Sequence, residues 1–474
     1  MSDDIRQFGM LIDGHLVQGQ GALLDILNPA TDEVVARVPD ATDDQLAAAV
    51  DAAGRAFTTW RSVPLAERGR IVRALGEAVW ENVDELAALL TSEQGKPLSA
   101  ARKEVESVVA WADWLATCEF PEEETREDDT HRLRIRNVPL GVVAAIVPWN
   151  FPVALAFRKI GPALLTGNTV VVKPSPFTPL TMLRFAELVR DLVPPGVVNV
   201  ISGGDSLGPR LTSRPGIQKF AFTGSTVTGK KVMDAAARQL ARVTLELGGN
   251  DAAIVLPDVD LDSVADAVFE SCFRNSGQVC LATKRVYVHD DIYDEFATRL
   301  VRVAARARVG NGMDEGVTLG PVQNQVQYRR IVQLIEQCER SGLAFLLKGE
   351  VPDGPGYFVH PTILDNPPED AAVVSEEQFG PVVPLLRFRD VDDVVARVND
   401  SEYGLGGSVW SADLEAASRV AERIESGVVW VNEAQRVLPS FPVAGHKASG
   451  IGSENGIEGL LQYTSPQVIS VRKP

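Results

Sequence analysis

Four short segments carry side chains with reactive chemistry. In Ser276-Gly277-Gln278-Val279-Cys280 a thiol follows a polar, glycine-containing turn. Glycine allows close backbone approach, and a thiolate held in such a turn is a nucleophile. A buried, inert cysteine is the commoner case, and Cys272 fits it, lying with Phe269 and Phe273 on one apolar helical face. In Glu246-Leu247-Gly248-Gly249-Asn250 a carboxylate ends an apolar strand, where open α/β sheets place functional groups; a solvated loop glutamate is the plainer reading. Asn150, in Pro148-Trp149-Asn150-Phe151-Pro152, offers either a side-chain amide donor or a cap for the next helix. The stretch Phe222 to Lys231 places Gly224 and Gly229 between a strand and a helix, a turn able to hold a phosphate on backbone amides or to do nothing more than connect. Its GSTVTGK matches GxxxxGK, but Lys231 follows where a Mg²⁺-binding Ser or Thr is needed, which argues against a nucleotide triphosphatase.

The elements that must position these residues are legible as patterns. The N-terminal third reads as helices: Leu46, Val50, Ala53, Phe57 and Trp60 recur at helical spacing behind Thr42 and Gln45, which have capping-box spacing. A second helical stretch stops at Gln94-Gly95-Lys96-Pro97, and a third, with Val105, Val108, Trp111 and Leu115, runs into the acidic PEEETREDDT, expected as a solvated loop or exposed hairpin. From Val142 onward short β-branched runs, VVAAIV, TVVV, VVNVI, KFAF and RVTLE, alternate with helical ones. Thr178 and Pro179 suit the N-cap and first position of one such helix. Continuously apolar strands are buried on both faces, which predicts an α/β fold with a parallel, doubly wound sheet. Strand patterning restarts after Glu246 at AAIVL, RVYV and VVPLL, and Leu460 to Val471 reads as an extended tail whose exposed edge invites pairing with another subunit.

Composition removes several classes. The 474 residues, 45% apolar and 23% charged, exceed one usual hydrophobic core and match globular usage. No apolar run approaches the roughly 18 residues that cross a bilayer. The acidic start, Met1 to Arg6, lacks the basic region and apolar stretch of a secretory signal, so a cytoplasmic location is expected. A net charge of −18 with no basic block disfavours nucleic acid. Four scattered cysteines without a CxxC pair read as reduced thiols, and His15, His131, His289, His360 and His446 form no ligand-spaced cluster, so no metal is expected.

The order PWNFP, KPSP, GSTVTG, ELGGN, GQVC and EEQFGP, spread from Gly95 to Gly450, resembles the aldehyde dehydrogenase superfamily over essentially the whole chain. That resemblance implies a Rossmann-like cofactor domain (1–119 and 138–246), an α/β catalytic domain (247–440) and a small β element for oligomerisation (120–137 and 455–474) in a homodimer or homotetramer. It assigns Cys280 as the nucleophile that attacks an aldehyde, Glu246 as the base that activates water, and Asn150 as the oxyanion-hole amide. For NAD, with NADP also possible, it implies Lys173 and Trp149 on the adenosine side, Gly224 and Ser225 at the pyrophosphate, and Glu377 and Phe379 at the nicotinamide ribose and ring. Two departures stand out. Pro176 occupies a position where NAD-selective members carry a ribose-binding Glu, so nothing there repels a 2′-phosphate and Lys173 attracts it. Pro442 to Gly450 reads PVAGHKASG where the family commonly has PFGGxKxSG, which reshapes the wall at the substrate entrance.

Arg158 stands on the helix after PWNFP, at a position that is arginine in succinate-semialdehyde and lactaldehyde dehydrogenases. It suits a polar aldehyde or semialdehyde, unless it only pairs with a nearby acid. Competing readings are a CoA-acylating dehydrogenase, against which Glu246 argues; a Cys/Glu thiol hydrolase without nicotinamide, which leaves GSTVTG and EEQFGP unexplained; and a noncatalytic member of the fold, which leaves Cys280, Glu246 and Asn150 without purpose.

Overall fold

The computed structural model describes residues 7–474; the acidic segment Met1 to Arg6 lies outside them. Two twisted sheets carry the molecule. The first has eight strands, and its centre is five parallel strands in the order Val198–Val200, Thr169–Lys173, Val142–Ile146, Lys219–Thr223, Arg242–Glu246. Every residue of the first four is buried, which is why they read as mostly apolar runs and not as alternating ones. Chain order reverses between Val142–Ile146 and Lys219–Thr223. At such a switch point the loops leaving the two strand ends diverge and leave a crevice; here those loops are Pro148-Trp149-Asn150 and Gly224-Ser225.

The second sheet has seven strands, of which six are parallel: Thr362–Asp365, Val382–Phe388, Thr283–His289, Asp251–Val255, Gly406–Trp410 and Val428–Val431, with Phe345–Leu347 antiparallel at one edge. Separate apolar clusters cover its two faces. The first sheet is completed late in the chain, where Gly450–Ile451 pairs antiparallel with Leu245 and Glu246 at its edge. The acidic PEEETREDDT does form an exposed hairpin: Glu123–Glu127 pairs with His131–Pro139, and the tail strand Thr464–Arg472 adds to the other side of His131–Pro139 in nine-residue register.

Helix Asp43–Trp60 begins with the expected capping box between Thr42 and Gln45. The stop after Gln94 is real, with Gly95 at φ 92°. Two expectations are corrected. The N-terminal third is not purely helical: Met10–Ile12 and His15–Val17 form an antiparallel edge of the first sheet, and Leu23–Leu27 pairs with Val34–Pro39. Strands of three residues are too short to leave an alternating pattern. The helix after KPSP starts at Leu180, with Pro179 in the cap position and no local side-chain cap. Its free amides are satisfied from a distance, by Glu93, whose carboxylate accepts from Leu180 N (2.7 Å) and Thr181 N (2.9 Å). Among the described residues no helix is long and apolar enough to cross a membrane, all four cysteines are free, and no three potential metal ligands cluster.

Candidate active site

The crevice at the switch point holds a cavity of about 160 Å³ in which Trp149, Asn150, Gly224, Ser225, Cys280, Glu377 and Phe379 meet. These residues come from both sheets, so the cavity exists only because the sheets face each other.

Cys280 ends a turn under conformational load. Asn275, Ser276 and Gly277 take φ of 51°, 55° and 73° in succession, each in the sparsely occupied left-handed region. A Cβ on Gly277 would stand 2.2 Å from the carbonyl oxygen of Gly380, so this glycine seats the cysteine turn against the EEQFGP segment. Gln278 fastens the turn from inside, donating to Asn275 O (2.9 Å) and accepting from Gln323 N (2.9 Å). Burial pushes the Cys280 thiol up to about 12; the Lys284 ammonium pulls it down, while Asp251, Glu377 and Glu246 push the same way as burial. Cys272 behaves as expected of a core thiol, buried beside the Phe269 and Phe273 rings and raised to about 12 by burial.

Asn150 is buried, with its amide donating to Gln278 O at 3.0 Å. Its own carbonyl accepts from Lys96 Nζ (2.8 Å) and Asn275 Nδ2 (3.2 Å). Lys96 is buried against Glu104 (2.5 Å), whose other oxygen caps the helix Pro152–Leu165 through Val153 N. Thus the GKP motif, read only as a helix stop, also supplies a cation that anchors Asn150. Asn150 does not cap that helix; Glu104 does.

Glu246 sits at the end of its strand, buried, with Oε1 free of any hydrogen bond. Burial first, then the neighbouring Glu454 carboxylate, hold its carboxyl well above the usual range, against the pull of Lys159 and Arg158. Lys159 itself is fully buried between Glu454 and Thr223, donating to both. Sequence reading missed this pair, since Lys159 and Glu454 are 295 positions apart and neither lies in a recognisable motif. The altered stretch Pro442 to Gly450 helps place Glu454: Val443 and Glu454 exchange backbone hydrogen bonds of 2.8 Å.

Glu377 accepts from Gly249 N (3.0 Å) and lies 3.4 Å from Lys284 Nζ. Phe379 meets Trp149 edge-to-face at 5.4 Å. Trp149 thus lines the same cavity as Gly224, Ser225 and Cys280. Lys173 lines a second, larger cavity of about 770 Å³, with Asp205, Phe222, Thr228, Lys231 and Arg238; burial lowers its ammonium to about 8. The two cavities adjoin the start of helix Thr226–Gln239, capped by Ser225 through Thr228 N. A helix N-terminus between two cavities suits a dinucleotide whose pyrophosphate sits on the amides and whose halves run either way. The residues present thus fit a nicotinamide dinucleotide.

Arg158 faces Glu454, Cys280 and Glu104 electrostatically. Its guanidinium stacks on Trp111 at 4.3 Å, and its buried Nε has no hydrogen-bond partner. The alternative in which Arg158 pairs with a nearby acid finds no ion pair within 4 Å among the described residues. Arg274, missed in the sequence reading, adds a second positive charge close enough to oppose that of Arg158.

The aldehyde dehydrogenase family model matches residues 16–469. The chain is 39% identical to the NADP⁺-dependent succinate-semialdehyde dehydrogenase of Escherichia coli K12, covering 98% of this chain and 97% of that one. It is also 39% identical to the glutarate-semialdehyde dehydrogenase of Pseudomonas putida, over 94% and 93%. The solved NAD⁺ complex of a Bacillus cereus aldehyde dehydrogenase superposes with a TM-score of 0.94 at 36% identity, over 98% of this chain and 97% of that one. The chain belongs to the aldehyde dehydrogenase family and is an NAD(P)-dependent oxidoreductase acting on aldehydes.

Proposed function

We propose that this enzyme oxidises an aldehyde carrying a distal carboxylate, a semialdehyde, to the dicarboxylic acid. The observation that carries the substrate class is Arg158: a guanidinium stacked on Trp111, with a buried donor left unsatisfied. A cation in this state recovers its desolvation cost when a substrate carboxylate binds it. Arg274 adds to the positive potential.

Cys280 attacks the aldehyde carbon to form a thiohemiacetal, and the developing oxyanion is met by the Asn150 amide and the Cys280 backbone N–H. The bound nicotinamide supplies the hydride acceptor. Trp149 and Phe379 form the apolar wall beside Cys280 that keeps this step dry. The thioester left on Cys280 is then hydrolysed by water that Glu246 deprotonates. A carboxyl held above its usual range by burial is a stronger base once ionised, and this suits that step. Lys159 and Glu454, whose opposite charges act on Glu246, set how readily it takes up that proton. Glu246 favours water over CoA as the acyl acceptor.

We further assign residues 1–119 and 138–246 to the cofactor domain, 247–440 to the catalytic domain, and 120–137 with 455–474 to an oligomerisation element. The unpaired edge of Thr464–Arg472, with Val468 and Val471 exposed, supports a homodimer or homotetramer. Following reduced nicotinamide with succinate and glutarate semialdehydes beside neutral aldehydes of equal length tests the substrate class. Preference for the semialdehydes is expected; preference for the neutral series would overturn it.

A further inference from the structure

Lys284 lies four residues beyond the nucleophile, at the start of strand Thr283–His289, and is buried. Its ammonium donates to Cys280 O (2.6 Å) and Val279 O (3.0 Å), with Ala282 O at 3.4 Å. On its other side stands the Glu377 carboxylate at 3.4 Å. Nothing in the reaction outlined above uses it, yet it touches both the nucleophile turn and the proposed ribose-binding carboxylate. A hydrophobic residue would fill the same space without the cost of burying a charge.

We propose that Lys284 is a positioning residue for Cys280: its ammonium gathers the carbonyls of the nucleophile turn and supplies the positive charge against which the thiolate forms. The inference rests on Cys280 being the nucleophile. The charged groups that face this turn are Lys284 and Arg158 on the positive side, and Asp251, Glu377 and Glu246 on the negative. Three carboxylates against a thiolate would suppress its formation, and Lys284 is the cation that most favours the ionised thiol. Asp251 strengthens the case. It is buried and accepts from Gly406 N (3.0 Å); burial raises its carboxyl to about 7, and Lys284 is the strongest influence drawing it back toward its charged form. Lys284 therefore balances Asp251 and Glu377 as well as the thiolate.

The test is the pH dependence of Cys280 alkylation by iodoacetamide in the full-length protein, followed by peptide mass spectrometry, with and without NAD⁺. In Lys284→Met and Lys284→Gln the midpoint should rise by about one unit, so that alkylation near neutral pH slows roughly tenfold. Gln can still donate to the carbonyls, so an effect shared with Met is due to charge. Lys284→Arg, which keeps the charge, should return the midpoint toward wild type while KM for the aldehyde stays unchanged. Melting curves establish which variants are folded, and either folded neutral variant gives the reading. An unchanged midpoint in a folded neutral variant would overturn the proposal. Dehydrogenase activity persisting in Cys280→Ser would instead overturn the nucleophile assignment on which it rests.

Discussion

Replacing Arg158 by Met removes a guanidinium and leaves a side chain of similar length against Trp111. If the substrate carboxylate is held by this cation, the lost charge-assisted hydrogen bond is worth about 1.5–3 kcal/mol, which converts to a fall in kcat/KM of roughly 10- to 150-fold. A neutral aldehyde of equal chain length makes no such bond and should lose little. The variant should not be less stable by much, because it deletes a cation whose Nε is buried without a partner, which offsets the lost cation–π contact with Trp111 and the lost attraction to Glu454 and Glu104. Arg158→Lys should recover part of the loss, since an ammonium keeps the charge but not the planar fork. The assay is initial-rate formation of reduced nicotinamide with paired substrates, one semialdehyde and one neutral, beside a melting curve. An equal fall on both substrates would refute the reasoning, for it would mean that Arg158 shapes the tunnel wall without meeting the distal group.

The buried charges around Glu246 predict opposite shifts in its working pH range. Glu454 raises the Glu246 carboxyl and Lys159 lowers it, so the rising limb of kcat against pH should move down in Glu454→Gln and up in Lys159→Met, read at saturating substrate. Gly277→Ala forces a Cβ to 2.2 Å from Gly380 O at φ 73°. The cysteine turn must shift, and kcat should fall at least tenfold with a lower melting temperature. Burial raises Glu93 from 4.5 to about 7. Its folded value lies above its unfolded one, so the folded state binds the extra proton and the contribution of this group is lost as pH rises from about 4.5 through 7. Melting temperatures of wild type and Glu93→Gln across that window should show wild type losing its advantage toward the higher pH.

Much of the fold was legible because burial on both faces leaves a plain record. The runs at Val142, Thr169 and Lys219 keep an apolar, fully buried centre, with polar residues only at their ends. Thr42 and Gln45 announced a cap because both partners sit within one turn. Where the partner is distant, the signal disappears. The helix beginning at Leu180 takes its cap from Glu93, and the strand Gly450–Ile451 closes the first sheet from the far end of the chain. The site divides in the same way. Cys280, Asn150 and Glu246 stand in motifs; Cys280 and Asn150 line one cavity, whereas Glu246 is buried between the lining residues Thr223, Leu247 and Gly248 and is not itself part of the lining. Lys96, Glu104, Lys159, Glu454 and Lys284 are common residue types in unremarkable windows. Their importance comes from being buried together, which only the folded chain reveals.

The central claim is that Cys280 carries the acyl group and Glu246 releases it to water. The most direct measurement is intact-protein mass after mixing Glu246→Gln with aldehyde and NAD⁺ or NADP⁺. The account predicts one turnover of reduced nicotinamide, an added mass equal to the acyl group mapped to Cys280, and no such adduct in Cys280→Ala. Steady turnover by Glu246→Gln without an adduct, or an adduct that survives in Cys280→Ala, would contradict it.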